Sequence, residues 1–347
     1  MADRYVQALL REIEYHAAEN ASPDEVSSVY FGGGTPSVMR EDQIAEIMAA
    51  CRRRSQMLDN CEISLEANPG TITKRKLRVY RKAGINRISV GAQSFINQEL
   101  SLIGRLHTAP MIFNTLQQLK ESGFDNINID LMLGLPHQTR MSWQKNLEAI
   151  RSLDVPHISI YMLDLDDQCP LYFMICEGKA RLPEEDLISD LYLETIDCLS
   201  ALGYSQYEIS NFARPGYACR HNLKYWRREP VHGFGVGSHS FDGASRYANK
   251  SAIDGYLAAV ESGASPIDWQ EPVGKMQALQ ETLFLGLRLT EGVNWKLLQK
   301  VYAEHLTVYE NPLRDLSERG LIKRDGDIIR LTASGMLISN EIFQLFV

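Results

Sequence analysis

The sequence predicts an α/β protein built on parallel strands, followed by a small winged-helix-like α+β domain at the C-terminus. Two observations carry this prediction. Short apolar runs alternate with helical patterns from residue 4 to residue 163, and such alternation is typical of parallel strands with right-handed crossovers. Further on, two short β-runs flank Asp325-Gly326, which is a strong signal for a hairpin.

Each element follows from its own pattern. Apolar side chains at helical spacing predict a helix over residues 4–18, and residues 26–31 form a short β-branched run that ends in three glycines. The same reasoning predicts, in order, helix 42–51, strand 62–66, helix 74–83, strand 87–90, strand 126–132, helix 141–153 and strand 157–163. Polar and glycine-rich loops follow these strands. In barrel-like folds that face carries the chemistry, so we expect a site at the carboxyl ends of the strands.

The pattern changes after residue 170. Residues 184–202 predict a long helix, and a helical region from about residue 274 leads into the hairpin. One further helix is predicted over residues 334–345. We therefore expect a partial barrel over residues 1–170, a barrel-completing segment over 171–270, and the winged-helix-like domain over 271–347.

Composition limits the classes of function. The 347 residues carry a net charge of −8, so no basic surface for a nucleic-acid backbone is expected. No apolar run reaches the length of a membrane span, and the first residues lack the apolar core of a signal peptide. We therefore expect a cytoplasmic protein that contacts a membrane only through a partner.

The six cysteines do not form a local metal motif. No two of them are separated by two or three residues, the spacing that brings thiolates together on one zinc ion or iron–sulfur cluster. We interpret at least five of them as buried thiols. They are Cys51, Cys61, Cys169, Cys176, Cys198 and Cys219.

The glycine turn at residues 32–36 is the sharpest local feature. Three glycines let a ligand approach the backbone closely, although many glycine-rich turns are turns alone. No Lys-Ser/Thr pair follows, so this is not a phosphate-binding P-loop. Glu66 ends its strand at the same predicted face, where it could bind an amino group or cap a backbone.

Other polar residues follow later strands. Gln93, Arg105 and Asp130 each suit a structural role alone, but their shared position at strand ends favours one common ligand. His221 lies beside two aromatic residues and could ligate heme iron, or it could be a hydrogen-bonded core histidine. The same alternatives hold for His239.

An ordered set of motifs resembles one family. It is similar to the oxygen-independent coproporphyrinogen oxidase group of the radical S-adenosylmethionine (SAM) proteins, and the likeness covers essentially the whole chain. The motifs lie at residues 30–37 (YFGGGTPS), 62–69 (EISLEANP), 86–95 (NRISVGAQSF), 104–107 (GRLH), 130–136 (DLMLGLP), 207–212 (YEISNF) and 221–226 (HNLKYW). The last motif resembles the heme-chaperone branch of the group rather than the oxidases.

The resemblance implies a fold, ligands and partners. It implies a partial parallel (β/α) barrel of the radical SAM type, SAM as cofactor, and heme that is passed to heme-accepting proteins. It carries His221 over as heme ligand or contact. The positions that it implies for SAM are Gly33, Gly34, Thr35, Glu66, Gln93, Arg105 and Asp130. The alternative function is the oxidase activity itself, which acts on coproporphyrinogen III.

The chain departs from the family at one point. Family members carry a Cys-x-x-x-Cys-x-x-Cys loop after the first barrel strand, whose thiolates hold a 4Fe-4S cluster. Here neither that loop nor that strand precedes the first helix, so no cluster ligands and no reductive SAM cleavage are expected of these residues. A gene start assigned too far downstream is the explanation we expect. A shortened heme-binding protein and an inactive fragment are the alternatives.

Overall fold

The computed structural model describes residues 1–19 and 25–347. Its strands are β1 (Glu25–Phe31), β2 (Gln56–Ala67), β3 (Arg87–Gln93), β4 (Asn126–Leu133), β5 (His157–Met162), β6 (Ser205–Glu208), β7 (Asn211–Ala213), β8 (His239–Phe241), β9 (Ser245–Asn249), β10 (Ile267–Pro272), β11 (Val293–Asn294), β12 (Ile322–Asp325) and β13 (Ile328–Leu331).

The helices alternate with these strands in the first half of the chain. They are α1 (Ala2–Glu19), α2 (Glu41–Arg54), α3 (Lys74–Ala83), α4 (Asn97–Leu102), α5 (Ala109–Glu121), α6 (Arg140–Ser152), α7 (Pro170–Cys176), α8 (Glu185–Ala201), α9 (Arg220–Trp226), α10 (Ile253–Glu261), α11 (Lys275–Arg288), α12 (Trp295–Glu318), α13 (Ala333–Leu337) and α14 (Ser339–Gln344). None of the helices described is long and apolar enough to cross a membrane.

The large sheet has seven strands in the order β1-β2-β3-β4-β5-β7-β6. Neighbouring strands from β2 to β5 are parallel, whereas β7 pairs antiparallel with β5 and with β6. This confirms the predicted α/β class with a parallel-rich, partial-barrel sheet. Because β2, β3 and β4 are parallel neighbours, the loops that follow them leave the same edge of the sheet.

The structure divides into two compact units, which we call the sheet unit (residues 30–40 and 63–218) and the terminal unit (residues 1–29, 41–62 and 219–347). In the sheet unit β3 is buried throughout, and β4 and β5 are buried over most of their residues, because helices cover them. Fully buried helix residues such as Leu77 and Trp143 supply that cover. The predicted three-part division by residue number stays a prediction.

The terminal unit has a small core between α1 and α10. Ala8 of α1 packs with Tyr256, Leu257 and Val260 of α10. Beside it, the buried Glu12 carboxylate accepts hydrogen bonds from the backbone N–H of Gly235, from Asn249 and from the Tyr256 hydroxyl. These three donors compensate for the burial of the carboxylate.

Two antiparallel three-stranded sheets also belong to the terminal unit. Their strand orders are β10-β9-β8 and β11-β13-β12. The second contains the predicted hairpin, in which Asp325 of β12 pairs with Ile328 of β13. Gly326 in the turn has φ +59°, a left-handed value that glycine adopts without strain.

Several short helices, among them α4, α7 and α10, were not predicted, and two further departures have a local explanation. The predicted single helix over residues 334–345 is two short helices, α13 and α14, with non-helical angles at Ile338 (φ −111°, ψ 28°). Gly335 and Ser339 are weak helix formers near this break. Helix α5 was not predicted, although Pro110 in its first turn is typical of a helix start.

Candidate functional sites

The glycine turn leaves open space beside its backbone. Gly33 has φ +80°, and a Cβ added to either Gly33 or Gly34 would meet no atom within 4 Å. Both residues are exposed. A ligand can therefore come against this stretch of main chain, whose N–H and C=O groups offer hydrogen bonds.

Gly32 is close-packed for a different reason. A Cβ there would lie 2.7 Å from the Tyr30 ring and 3.1 Å from Glu66 Oε1. The Tyr30 hydroxyl donates a hydrogen bond to the same Oε1 atom over 2.9 Å. Because Gly32 has no side chain, the Tyr30 ring fits beside it. Tyr30 can then hold the Glu66 carboxylate, which is the group predicted to bind the ligand.

The surroundings of Glu66 raise the pKa of its carboxyl group. Burial raises its pKa above the ordinary glutamate value, and the negative charge of Asp130 raises it further, while the Tyr30 hydrogen bond opposes them. A cation beside Glu66 would stabilise the ionised form and relieve this cost. A protonated amino group is such a cation.

Asn68 connects two of the predicted residues. It follows β2 and donates from Nδ2 to Thr35 Oγ1 over 3.2 Å, while its Oδ1 lies 3.5 Å from Arg105 Nη1. Burial lowers the pKa of the Arg105 guanidinium, and the charge of Asp130 opposes that shift. The turn after β1, the loop after β2 and the loop that holds Arg105 thus meet through one amide side chain.

Gln93 is strained where β3 ends. It is buried, and its φ of +65° is rare for a residue with a side chain. The pairing of β3 with β4 shifts register between Gly91 and Gln93, which marks a bulge. Strain of this kind persists where surrounding structure holds it, and it is often found at binding sites.

Two neighbouring side chains donate hydrogen bonds to the Asp130 carboxylate. Its Oδ1 accepts from Asn128 Nδ2 over 2.7 Å, and its Oδ2 accepts from Ser89 Oγ over 3.0 Å. Burial raises the pKa of this carboxyl, although hydrogen bonds from Ser159, Ser89 and Asn128 oppose the shift. Its charge acts on both Glu66 and Arg105.

The structure thus brings most of the SAM-assigned residues to one edge of the sheet. The sequence reasoning assigned no role to Tyr30 or Asn68, which contact Glu66, Thr35 and Arg105. Asn68 at a strand end gave the same kind of signal as Glu66 and could have been included. The Tyr30 contact spans 36 positions and has no local signal.

His221 lies on α9 in the terminal unit, where three contacts orient it. Its ring Nδ1 lies 3.1 Å from Ser28 Oγ, and its backbone N–H donates to Glu62 Oε1 over 3.2 Å. The edge of its ring meets the Tyr225 ring, with centroids 5.2 Å apart. The imidazole is half-buried, and Tyr225 is 45% exposed.

Trp226 and Cys219, which lie near His221 in the sequence, have different surroundings from it. Arg288 stacks over the half-buried Trp226 indole at 4.4 Å. Cys219 is fully buried, and its thiol contacts Glu62 Oε1 at 3.5 Å. Cys219 and Cys61 are buried thiols as predicted, but Cys51, Cys169 and Cys198 are half-buried and Cys176 is exposed, so the prediction of at least five buried thiols was wrong. His239, by contrast, is exposed and meets the Trp269 ring edge-on, with the ring centroids 5.9 Å apart.

No metal site is evident among the residues that the structure describes. No group of three or more His, Cys, Asp or Glu side chains converges there as metal ligands would. The six cysteines are all free thiols rather than disulfides. The residues present therefore do not fit a 4Fe-4S cluster, which needs several converging thiolates.

Family models match both ends of the chain. The model of the radical SAM superfamily matches residues 2–150, and that of the HemN C-terminal domain matches residues 274–338. The second match covers the helices and hairpin that the sequence predicted as a winged-helix-like appendage.

Individual relatives cover nearly the whole chain. The heme chaperone HemW of Bacillus subtilis is 34% identical over 347 residues, which is 99% of this chain and 91% of that protein. The heme chaperone HemW of Synechocystis is 36% identical over 300 residues, or 86% and 72% of the two chains. Among solved structures, coproporphyrinogen III oxidase (HemN) from Escherichia coli matches with a TM-score of 0.85 and 26% identity, over 99% and 83% of the chains.

Proposed function

Because the chain belongs to the HemW-like group of the radical SAM family, we propose that it is a heme chaperone that binds heme at His221 and passes it to heme-accepting proteins. Several relatives named as heme chaperones align with it over almost their full length. Heme is the cargo in this proposal, and the recipient is a heme-accepting apoprotein that takes it up by direct transfer.

The orientation of His221 is the observation that carries the proposal. A tautomer that donates from Nδ1 to Ser28 Oγ leaves the lone pair on Nε2, the nitrogen that would face iron. Tyr225, one helical turn later, offers an exposed aromatic face to a porphyrin edge. Because His221 is only half-buried, heme bound to it would stay accessible. Such a position suits heme that is passed on rather than held permanently.

Heme titration tests the assignment. The wild type should bind heme with a Soret band typical of histidine ligation, and His221→Ala should shift that band and weaken binding. His305→Ala is a matched control, since His305 is another half-buried histidine of the terminal unit. Equal spectra and affinities for wild type and His221→Ala would overturn the ligand assignment.

SAM binding at the edge of the large sheet is the second part of the proposal. The open backbone of Gly33 and Gly34, with Thr35, would meet the methionine moiety, and Glu66 would pair with its cationic amino group. Gln93, Arg105 and Asp130 would meet polar groups elsewhere on the ligand, Asp130 also through its charge. The strained Gln93 and the raised pKa of Glu66 support this use of the site.

The family implies a 4Fe-4S cluster as well as SAM. Because the cysteines present do not converge, we assign no cluster ligands and derive no SAM cleavage from these residues. Calorimetry with SAM therefore tests binding alone. Glu66→Gln should weaken binding by about tenfold, since it removes one charge-assisted contact of a half-buried carboxylate. Wild-type affinity in Glu66→Gln would contradict the assignment.

Oxidation of coproporphyrinogen III is the second candidate, favoured by the likeness to the Escherichia coli oxidase. An anaerobic assay separates the two functions. Heme transfer without porphyrinogen turnover supports the chaperone, and turnover supports the enzyme.

A further inference from the structure

A recess in the terminal unit starts next to the His221 segment. Its walls include the aromatic and aliphatic side chains Tyr225, Val231 and Phe241, and its polar groups include Arg228, His239 and Arg246. Tyr225 belongs both to this recess and to the ring contact with His221. The recess is therefore one side chain away from the proposed heme ligand.

The charges around the recess do not cancel. Arg228 and Arg246 both pair with the single buried carboxylate of Glu281, over 2.5 and 2.8 Å. Glu229, a carboxylate that lines the recess, pairs with Lys224 over 2.9 Å. These five side chains together carry one net positive charge, which a single carboxylate would balance.

Arg246 is the accessible member of the pair. Its side chain is 34% exposed, against 15% for Arg228. Glu281 engages Nε and Nη2 of Arg246, so Nη1 is the part of the guanidinium that this ion pair does not use. Stacking on Phe241, with 4.8 Å from the guanidinium carbon to the ring centroid, fixes the plane of the group.

We propose that this recess binds the carboxylate edge of the tetrapyrrole, with Arg246 pairing with one propionate and the exposed His239 as a second donor. The proposal rests on heme being the ligand of the His221 segment. Tyr225 and Val231 suit the methylene arms of the propionates, and the net positive charge suits their carboxylates.

Binding of heme and of heme dimethyl ester tests the proposal, because the ester masks both carboxylates. Arg246→Gln should weaken heme binding by about tenfold with an unchanged Soret position, since one charge-assisted contact is lost. The same variant should bind the ester as the wild type does. His239→Ala should show the same pattern with a smaller loss. It also provides a test that leaves the Glu281 ion pairs intact.

Arg227→Gln is the matched control, because Arg227 is an exposed arginine paired with Glu291 and does not line the recess. It should bind heme as the wild type does. Wild-type heme affinity in both Arg246→Gln and His239→Ala would overturn the proposal, and so would equal losses for heme and its ester. Neither result would affect the assignment of His221 as heme ligand. A wild type that binds no heme would instead overturn the proposed function, and this inference with it.

Discussion

Replacing Tyr30 by phenylalanine probes the SAM site at one atom. The change removes the hydroxyl that donates to Glu66 Oε1 over 2.9 Å and leaves the ring in place. Gly32 has no side chain to fill the small space that the lost oxygen leaves. The variant therefore tests whether the ionised Glu66 carboxylate is what holds the ligand.

The magnitude follows from the kind of bond that is lost. A hydrogen bond to a charged group contributes about 1.5–3 kcal/mol, and both partners here are only half-buried, so the lower end applies. The hydrogen bond is present without ligand, so only the part that positions and ionises Glu66 affects binding, and we expect at most about a tenfold loss of SAM affinity. Because the hydrogen bond favours ionised Glu66, its loss also raises the pKa of Glu66 further. The deficit should therefore be larger at pH 5, close to the ordinary glutamate range, than at pH 8.

Calorimetry at the two pH values measures both effects. Tyr204→Phe is a matched control, since its hydroxyl donates to the Val155 carbonyl over 2.6 Å elsewhere in the sheet unit. The control should lose about 1 kcal/mol of stability and keep its SAM affinity. Wild-type affinity in Tyr30→Phe, or a loss that is equal at pH 5 and pH 8, would refute this role of Tyr30.

Three further predictions use other contacts. Gly34→Ala should keep the wild-type unfolding free energy yet weaken SAM several-fold, whereas Gly32→Ala should lose stability by about 1–3 kcal/mol in denaturant titrations. Ser28→Ala should weaken heme binding several-fold in spectroscopic titrations, because the His221 ring loses the partner of Nδ1. Burial holds the pKa of His157 well below 6.5 in the folded state, so the unfolded chain binds a proton first as pH falls. Stability should then decline below about pH 6.5, by up to about 1.4 kcal/mol per pH unit, and an unchanged unfolding midpoint between pH 7 and pH 5 would contradict this.

Local sequence patterns were enough to predict much of the fold. Helix α3 and the starts of β3, β4 and β5 lie where hydrophobic spacing put them, because period and turn residues act over a few positions. The break at Ile338 depends on packing in three dimensions, and no period signals it. Parallel topology alone puts the carboxyl ends of β2 and β3, where Glu66 and Gln93 lie, at the same edge of the sheet.

The details of the sites could not be predicted in the same way. The hydroxyl of Tyr30 reaches Glu66 across 36 positions, and the Nδ1 atom of His221 meets Ser28 across 193. The pairing of Arg246 with Glu281 likewise depends on how distant segments pack. Such contacts follow from the packed structure rather than from any local spacing.

Transfer of heme tests the central claim most directly. Heme-loaded protein is mixed with the apo form of a b-type cytochrome, and in parallel with excess apomyoglobin, which traps only heme that has dissociated passively. The account predicts that heme reaches the cytochrome faster than it reaches the trap, and that His221→Ala removes this advantage. Equal rates to both acceptors, with or without His221, would contradict the account.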